Sequence, residues 1–267
     1  MIRKRFGQHF LTDRHALLRI VDALQLTGSE TVVEIGPGKG ALTDLLAERC
    51  AHLQCVEIDR DLAAFLRDRY RDRPHVEITA ADVLSVDLGA LAGRPYVLVG
   101  NLPYYLTTPI IFHALKTPRP MRSVFLVQRE VAERLSAAPG TKAYGALSVN
   151  VQLVAAVETV GVVGAGAFFP RPTVESAMVR LTPFVAGQGS GMDQEALRAF
   201  VTGLFGQRRR QLPRALRTVT GLDAGTALAV VRGLALDEKC RAEELPPVQL
   251  ARLFVAALDA RNIVHAP

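Results

Sequence analysis

Tryptophan is absent from this 267-residue chain, and only 5 residues are tyrosine. Any flat surface for stacking must be built from few rings. Cysteine is scarce too: Cys50, Cys55 and Cys240 form no C-x-x-C pair and show no metal spacing. That excludes a disulfide scaffold and points to buried thiols in a reducing compartment, so a cytoplasmic location is expected. The histidines are scattered without ligand spacing, and no metal is assigned. No run approaches about 18 apolar residues without a charge, so no membrane span is expected. The opening MIRKRFGQHF is basic with no apolar stretch behind it, so no signal peptide is expected.

What remains is ordinary globular material: 49% hydrophobic and 22% charged residues. The length suits one large domain, or one domain plus a small one. Net charge is +6 and the sequence pI is about 9.5. Only 5 of the 32 basic residues are lysine, and arginine suits phosphate forks. Arg3-Lys4-Arg5 and Arg208-Arg209-Arg210 are local concentrations, with Arg214 and Arg217 close behind the second. Such clusters fit a polyanion partner, or simply a solvated basic surface.

Apolar runs alternate with helical patterns from about residue 15 to 137. Thr31–Ile35, Leu53–Ile58, Val76–Thr79, Tyr96–Val99 and Ser123–Val127 read as strands buried on both faces. Ala41–Arg49, Asp61–Tyr70 and Pro109–Leu115 carry helical spacing between them. This alternation predicts a parallel sheet covered by helices. Val149–Val163 and Ala177–Leu181 read as two more strands, forming a hairpin-like edge pair. The fold class is therefore α/β, with a mostly parallel seven-stranded sheet. The stretch from Pro183 to Asp193, PFVAGQGSGMD, reads as a linker. Gln194–Ala260 has helical periodicity broken at Pro213, Gly221, Gly225 and Pro246-Pro247. A catalytic domain over 1–183 and a small all-helical domain over 194–267 are expected.

The stretch VVEIGPGKGALT sets Gly36, Gly38 and Gly40 between a strand and a helix. Glycines there let the backbone approach a ligand, beside a helix N-terminus that favours electron-rich groups. The pattern is G-x-G-x-G, not the G-x-G-x-x-G of dinucleotide enzymes. Pro37 removes one N–H, and Glu34 is a poor neighbour for phosphate. The loop fits a nucleoside better than a dinucleotide; a ligand-free tight turn is the plainer alternative. Glu57 ends the next strand, where a carboxylate can accept both ribose hydroxyls. Asp82 follows the third strand, where a carboxylate can accept an adenine amino hydrogen. Either acid alone reads equally as a solvated strand-end charge. Three successive strand ends in this order resemble the Rossmann-like Class I S-adenosylmethionine-dependent methyltransferases.

Asn101-Leu102-Pro103-Tyr104 falls at the end of the fourth strand. An exocyclic adenine amine is a poor nucleophile, because its lone pair is delocalised into the ring. Acceptors on its two hydrogens pull the nitrogen toward sp³. Asn101 can offer a side-chain oxygen, and the Leu102 carbonyl, steered by Pro103, a second. Tyr104 can stack on the base, which must leave any duplex first. The plainer alternative is an Asx-Pro turn with a packed tyrosine; Tyr105 reads as packing.

Seven stretches occur in order: FGQHFL (Phe6–Leu11), EIGPGKGALT (Glu34–Thr43), NLPYYLTTP (Asn101–Pro109), KAYGALSV (Lys142–Val149), FFPRPTVESAMVRL (Phe168–Leu181), FGQRRRQL (Phe205–Leu212) and RAEEL (Arg241–Leu245). Together they resemble the bacterial KsgA (RsmA) family of rRNA adenine N6,N6-dimethyltransferases across almost the whole chain. The resemblance implies dimethylation of two adjacent adenines in a hairpin loop near the 3′ end of 16S rRNA. It implies S-adenosylmethionine as donor and an immature 30S subunit as partner, acted on by a monomer. It places His9, Leu11, Gly36, Gly38, Glu57, Ile58, Asp82, Val83 and Asn101 at the donor. Asn101, Leu102, Pro103 and Tyr104 would form the catalytic tip, with Phe168 stacked on the target base opposite Tyr104. Arg208, Arg209 and Arg210 would meet rRNA phosphates. His9 stands where many relatives have Asn, and Tyr105 where they often have Asn. The rivals are an Erm-like methyltransferase of one 23S rRNA adenine, a non-catalytic RNA-binding assembly factor, and a small-molecule methyltransferase, which would not explain the basic tail. The intact glycine loop and NLPY stretch argue against the second.

Overall fold

The computed structural model describes residues 9–185 and 193–264, the side chains of 262–264 excepted. Arg3-Lys4-Arg5, the start of FGQHFL and most of the Gly/Ser-rich linker lie outside the described residues. In chain order the elements begin β1 (Phe10–Leu11), α1 (Arg14–Ala23), β2 (Thr31–Ile35), α2 (Ala41–Leu46), β3 (His52–Glu57) and α3 (Arg60–Arg69). They continue β4 (Val76–Ala80), α4 (Leu88–Ala92), β5 (Tyr96–Asn101), α5 (Thr107–Ala114), β6 (Arg122–Gln128), α6 (Arg129–Leu135) and α7 (Ala146–Gln152). Then come β7 (Ala155–Val163), β8 (Phe168–Phe169), β9 (Ser176–Pro183), α8 (Gln194–Gly206), α9 (Leu212–Thr220), α10 (Ala224–Gly233) and α11 (Pro247–Val264).

Two compact units emerge. The first comprises Met1–Ala132 and Val157–Pro183. Its seven-stranded sheet runs β4-β3-β2-β5-β6-β9-β7. The pairs from β4 through β6 are parallel, and β9 joins β6 antiparallel. All five residues of β2 are buried, as expected for a β-branched strand covered on both faces. Helices begin where side chains satisfy otherwise orphaned amides: Asp13 accepts from Ala16 N on α1, and Asp59 from Asp61 N and Leu62 N on α3. The interior face of α1 buries Leu17, Ile20 and Val21 beneath the sheet core, each side chain worth roughly 1.5–3 kcal/mol. From β2 the chain winds outward to β3 on one side, and β5 lies on the other. That reversal leaves a crevice at the carboxyl ends of the strands.

The second unit comprises Glu133–Ala156 and Phe184–Pro267. The first unit ends at Pro183 as expected, but residues 133–156, expected within it, join the C-terminal helices instead. Side chains explain why. Arg208 pairs with Glu243 and donates through Nη2 to the carbonyls of Thr141 and Lys142, each 3.2 Å away. Gly140 N reaches Glu243 O at 2.8 Å, and the buried Tyr144 donates its hydroxyl to Leu245 O at 2.9 Å. Tyr144 also meets Phe205 edge-on at 5.7 Å. The KAYGALSV, FGQRRRQL and RAEEL stretches are thus stitched into one cluster.

A second correction concerns 149–163. Its first residues are helical in α7, and only Ala155–Val163 is a strand. Ser148 Oγ accepts from Gly145 N at the start of the helix, and Leu147, Val149 and Val151 are buried. Packing here overrides the strand preference of valine. The remaining strand is the sheet's edge, hydrogen-bonded to β9, so the expected edge pair is present. Among the expected helix breaks, Gly221 caps α9 and Pro247 opens α11. Pro213 and Gly225 instead sit inside the first turns of α9 and α10.

Candidate active site

The carboxyl ends of β2, β3, β4 and β5 are aligned by register: Ile35 lies opposite both Val56 and Gly100, and Glu57 opposite Ala80. Above them opens a cleft of about 830 Å³ counted out to its mouth, within the range of small-molecule sites. Gly36, Gly38, Glu57, Ile58, Asp82, Val83, Asn101, Leu102, Pro103, Tyr104 and His9 all line it. Sequence positions spread over some 95 residues therefore meet in one place.

The glycine loop follows β2. Gly36 has φ +66°, and nothing stands within 4 Å of where a Cβ would be, so backbone faces open cavity. Gly38 has φ +59°, and a Cβ there would lie 2.9 Å from the Phe10 ring. Its small size lets the segment His9–Phe10 lie over the loop. Gly38 N donates to Glu57 Oε2 at 3.0 Å, and Asp59 N to Glu57 Oε1 at 3.0 Å. Glu57 is 2% exposed. Burial raises its pKa above the ordinary carboxylate value, and the two amide donors pull the other way. Each of its oxygens keeps a second lone pair for a hydroxyl. Asp82 is exposed; its Oδ1 accepts from Leu84 N at 3.0 Å, and no donor reaches Oδ2 among the described residues. Ile58, exposed, and Val83, buried, supply apolar surface beside the two acids. Glycine backbone, a paired-hydroxyl acceptor, an amino acceptor and apolar flanks make a donor set suited to an adenine nucleoside.

At the β5 tip, Asn101 Nδ2 donates to His9 O at 2.8 Å. A carbonyl can only accept, so this bond fixes which end of the amide carries the NH₂. Oδ1 is left without a donor among the described residues, and so is the Leu102 carbonyl. Leu106 N and Thr107 Oγ1 both donate to Pro103 O, at 3.0 and 3.1 Å, and lock the turn. Tyr104 is held twice, by Ser176 Oγ at 2.9 Å from its hydroxyl and by the His9 ring stacked at 5.7 Å. His9 Nδ1 in turn donates to Pro170 O at 2.7 Å.

Two expected site residues lie elsewhere. Leu11 and Phe168 face each other across the two-stranded ribbon β1–β8, are 6% and 4% exposed, and belong to the hydrophobic core. Strand alternation explains this: the partners Phe10 and Phe169 take the other side. Phe10 lines the cleft, and Phe169 is 60% exposed. Of the arginine run, Arg208 is engaged in the second unit's stitch. Arg209 and Arg210 are exposed, as are Arg214 and Arg217 on α9, and none of these four has an acidic partner among the described residues. Sequence reasoning missed Ser176 and the orienting role of the His9 carbonyl. Ser176 lay within the quoted FFPRPTVESAMVRL stretch, but nothing in the order of residues revealed its hydrogen bond. Among the described residues no group of three or more His, Cys, Asp or Glu could hold a metal ion.

Comparison with known proteins gives this geometry a lineage. The family described as Ribosomal RNA adenine dimethylase matches residues 1–256. A protein named Ribosomal RNA small subunit methyltransferase A from Leptothrix cholodnii is 42% identical over 259 residues, 95% of this chain and 91% of its own. The protein of the same name from Aromatoleum aromaticum is 41% identical over 267 residues, 99% and 98% of the two chains. Among solved structures, a dimethyladenosine transferase from Plasmodium falciparum shares the fold at TM-score 0.84 with 23% identity, covering 95% of this chain and 98% of its own. The 23S rRNA methyltransferase ErmE superposes at TM-score 0.72 with 26% identity, covering 92% and 98%. This chain belongs to the ribosomal RNA adenine dimethylase family.

Proposed function

We propose that this chain dimethylates the N6 amines of two adjacent adenines in the 3′-terminal hairpin loop of 16S rRNA, within an immature 30S subunit. The single observation that carries the chemistry is a pair of acceptors with no donor among the described residues, Asn101 Oδ1 and the Leu102 carbonyl, in the cleft wall beside Tyr104. The unmethylated amine has two hydrogens to give, and this tip has two oxygens to receive them. Accepting both draws the nitrogen lone pair out of the ring and toward the cleft. Before the second transfer one hydrogen remains and one acceptor holds it. No strong base is required, because the proton leaves after the nitrogen has become cationic.

S-adenosylmethionine, when bound, supplies an electrophilic methyl group. Glu57 would hold its ribose hydroxyls and Asp82 its adenine amino group, with Gly36, Gly38, Ile58 and Val83 around it. His9 and Phe10 close the cleft from above. Tyr104, already fixed by Ser176 and His9, offers its ring to the target base without first having to be ordered, and stacking is worth about 1–3 kcal/mol per base. Phe168 anchors this wall from the core side. Arg209 and Arg210, with Arg214 and Arg217, are the guanidinium groups available to rRNA phosphates. The protein acts as a monomer in the cytoplasm.

The test is transfer of labelled methyl to small subunits from cells lacking these modifications, followed by mass spectrometry of the 16S loop. Dimethylation of both adenines is expected. Absence of incorporation would leave only a binding role in assembly. A large-subunit target is the second reading, favoured by the likeness to ErmE. Methylation of 50S particles in preference to 30S would establish it.

A further inference from the structure

We infer that Tyr105 is the platform on which the adenine next to the reacting one stacks, an inference that rests on the function proposed above. The tip between Asn101 and Leu102 serves one amine at a time. When one of two neighbouring adenines enters, the other loses its stacking partner and needs a surface.

Tyr105 supplies one. It lines the mouth of the cleft and is 61% exposed. Neither its hydroxyl nor its ring has a partner among the described residues. Its neighbour Tyr104 is the opposite case, held at the hydroxyl by Ser176 and across the ring by His9. Tyr104–Leu106 forms a single 3₁₀ turn. With three residues per turn, consecutive side chains there diverge by about 120°. One ring is therefore held in the cleft wall, and the next leaves the turn in a different direction and stays exposed where the cleft opens. Exposed at the cleft and beside Tyr104, the Tyr105 ring offers an open face to a base. Bases stack on such rings regardless of sequence, and consecutive nucleotides can occupy consecutive rings.

The experiment measures steady-state methylation of unmodified small subunits by the wild type, Tyr105→Phe, Tyr105→Ala and Phe169→Ala. Each is run on intact 16S rRNA and on 16S rRNA with an abasic nucleotide in place of one target adenine. On intact subunits Tyr105→Ala is expected to raise KM about 5- to 30-fold. Its kcat should stay within about twofold, and one adenine should be dimethylated well ahead of the other. Tyr105→Phe keeps the ring and should match the wild type. On the abasic subunits, where no neighbouring base remains to stack, the wild type loses most of its advantage, so the two enzymes converge. An unchanged KM for Tyr105→Ala on intact subunits overturns the inference. So does a gap that persists undiminished opposite the abasic nucleotide, or the same coupling appearing for Phe169→Ala and not for Tyr105→Ala. If the wild type itself fails to methylate intact subunits, the proposed function falls instead.

Discussion

On one side of the cleft, Glu57 is 2% exposed and both its oxygens already accept backbone amides. On the other, Tyr105 is 61% exposed, with its hydroxyl and ring unpartnered among the described residues. The donor side is assembled from sheet, loop and buried acid before any ligand arrives. It has one small molecule to recognise, and fixed lone pairs suffice. The proposed target side presents oxygens and a ring with no partner among the described residues, which suits the nucleic-acid loop proposed above, since such a loop brings its own hydrogens and flat faces. Rigidity is spent where the ligand is constant, and open valence where the ligand must be unstacked and drawn in.

The contrast can be broken most forcefully at the ribbon between the two sides. Phe168→Ala removes a ring from the core and should lower stability by about 3–5 kcal/mol, seen as a falling denaturation midpoint. Phe169→Ala, one position away on the exposed face, should leave the midpoint unchanged. Equal losses would show that the ribbon does not alternate as described. Asn101→Ala comes next. Losing one preorganised partner of the amine should lower kcat about a hundred- to a thousand-fold, with donor affinity within a few-fold by calorimetry. Turnover within a few-fold of wild type would remove the amine-acceptor role.

The donor side has its own signature in pH. Glu34 is 2% exposed, accepts from Thr43 Oγ1 at 2.7 Å, and burial pushes its pKa up to about 7 from 4.5. The folded state therefore holds a proton that the unfolded state releases, so stability falls as pH rises from 4.5 to 7. The loss is complete above that range and amounts to about 3 kcal/mol. Glu34→Gln should flatten this slope in urea titrations between pH 4.5 and 8, and an unaltered slope would place the titration elsewhere. The smallest effects belong to the arginines. Arg209→Ala with Arg210→Ala should reduce the salt slope of RNA binding by about 1 for each phosphate no longer neutralised. Arg208→Ala should spare the slope and lower stability by about 1 kcal/mol, as its bonds to Glu243, Thr141 and Lys142 are partly exposed.

Much of the donor side was legible in the residue order. Strand, glycine turn and strand-end acid are local features, and local periodicity reports them. The NLPY turn was legible because it too is a local feature, at the end of a buried strand. What stayed hidden depends on distant partners. The ribbon β1–β8 has two residues per strand, too few to show an alternation, so nothing announced that Phe168 turns inward and Phe169 outward. Val149 and Val151 spelled strand until burial against helices made them part of α7. Arg208 sat in a basic triplet, and its acid lies 35 positions further on. The three stretches of the second unit that carried the family resemblance are where that unit is sewn together. They identify the architecture more directly than they identify an RNA contact.

The ribbon also sets when the cleft can exist. Phe10 reaches its place over the glycine loop by pairing with Phe169, and Thr12 and Asp13 extend that pairing to the Ala167 carbonyl. A growing polypeptide that ends before this point has the sheet's first strands and the NLPY tip, yet no roof. Closing so long a span sacrifices chain freedom that only the finished first unit recovers. A chain truncated ahead of Phe168 should thus bind the methyl donor poorly, although Glu57 and Asp82, the acids proposed to hold it, are already present.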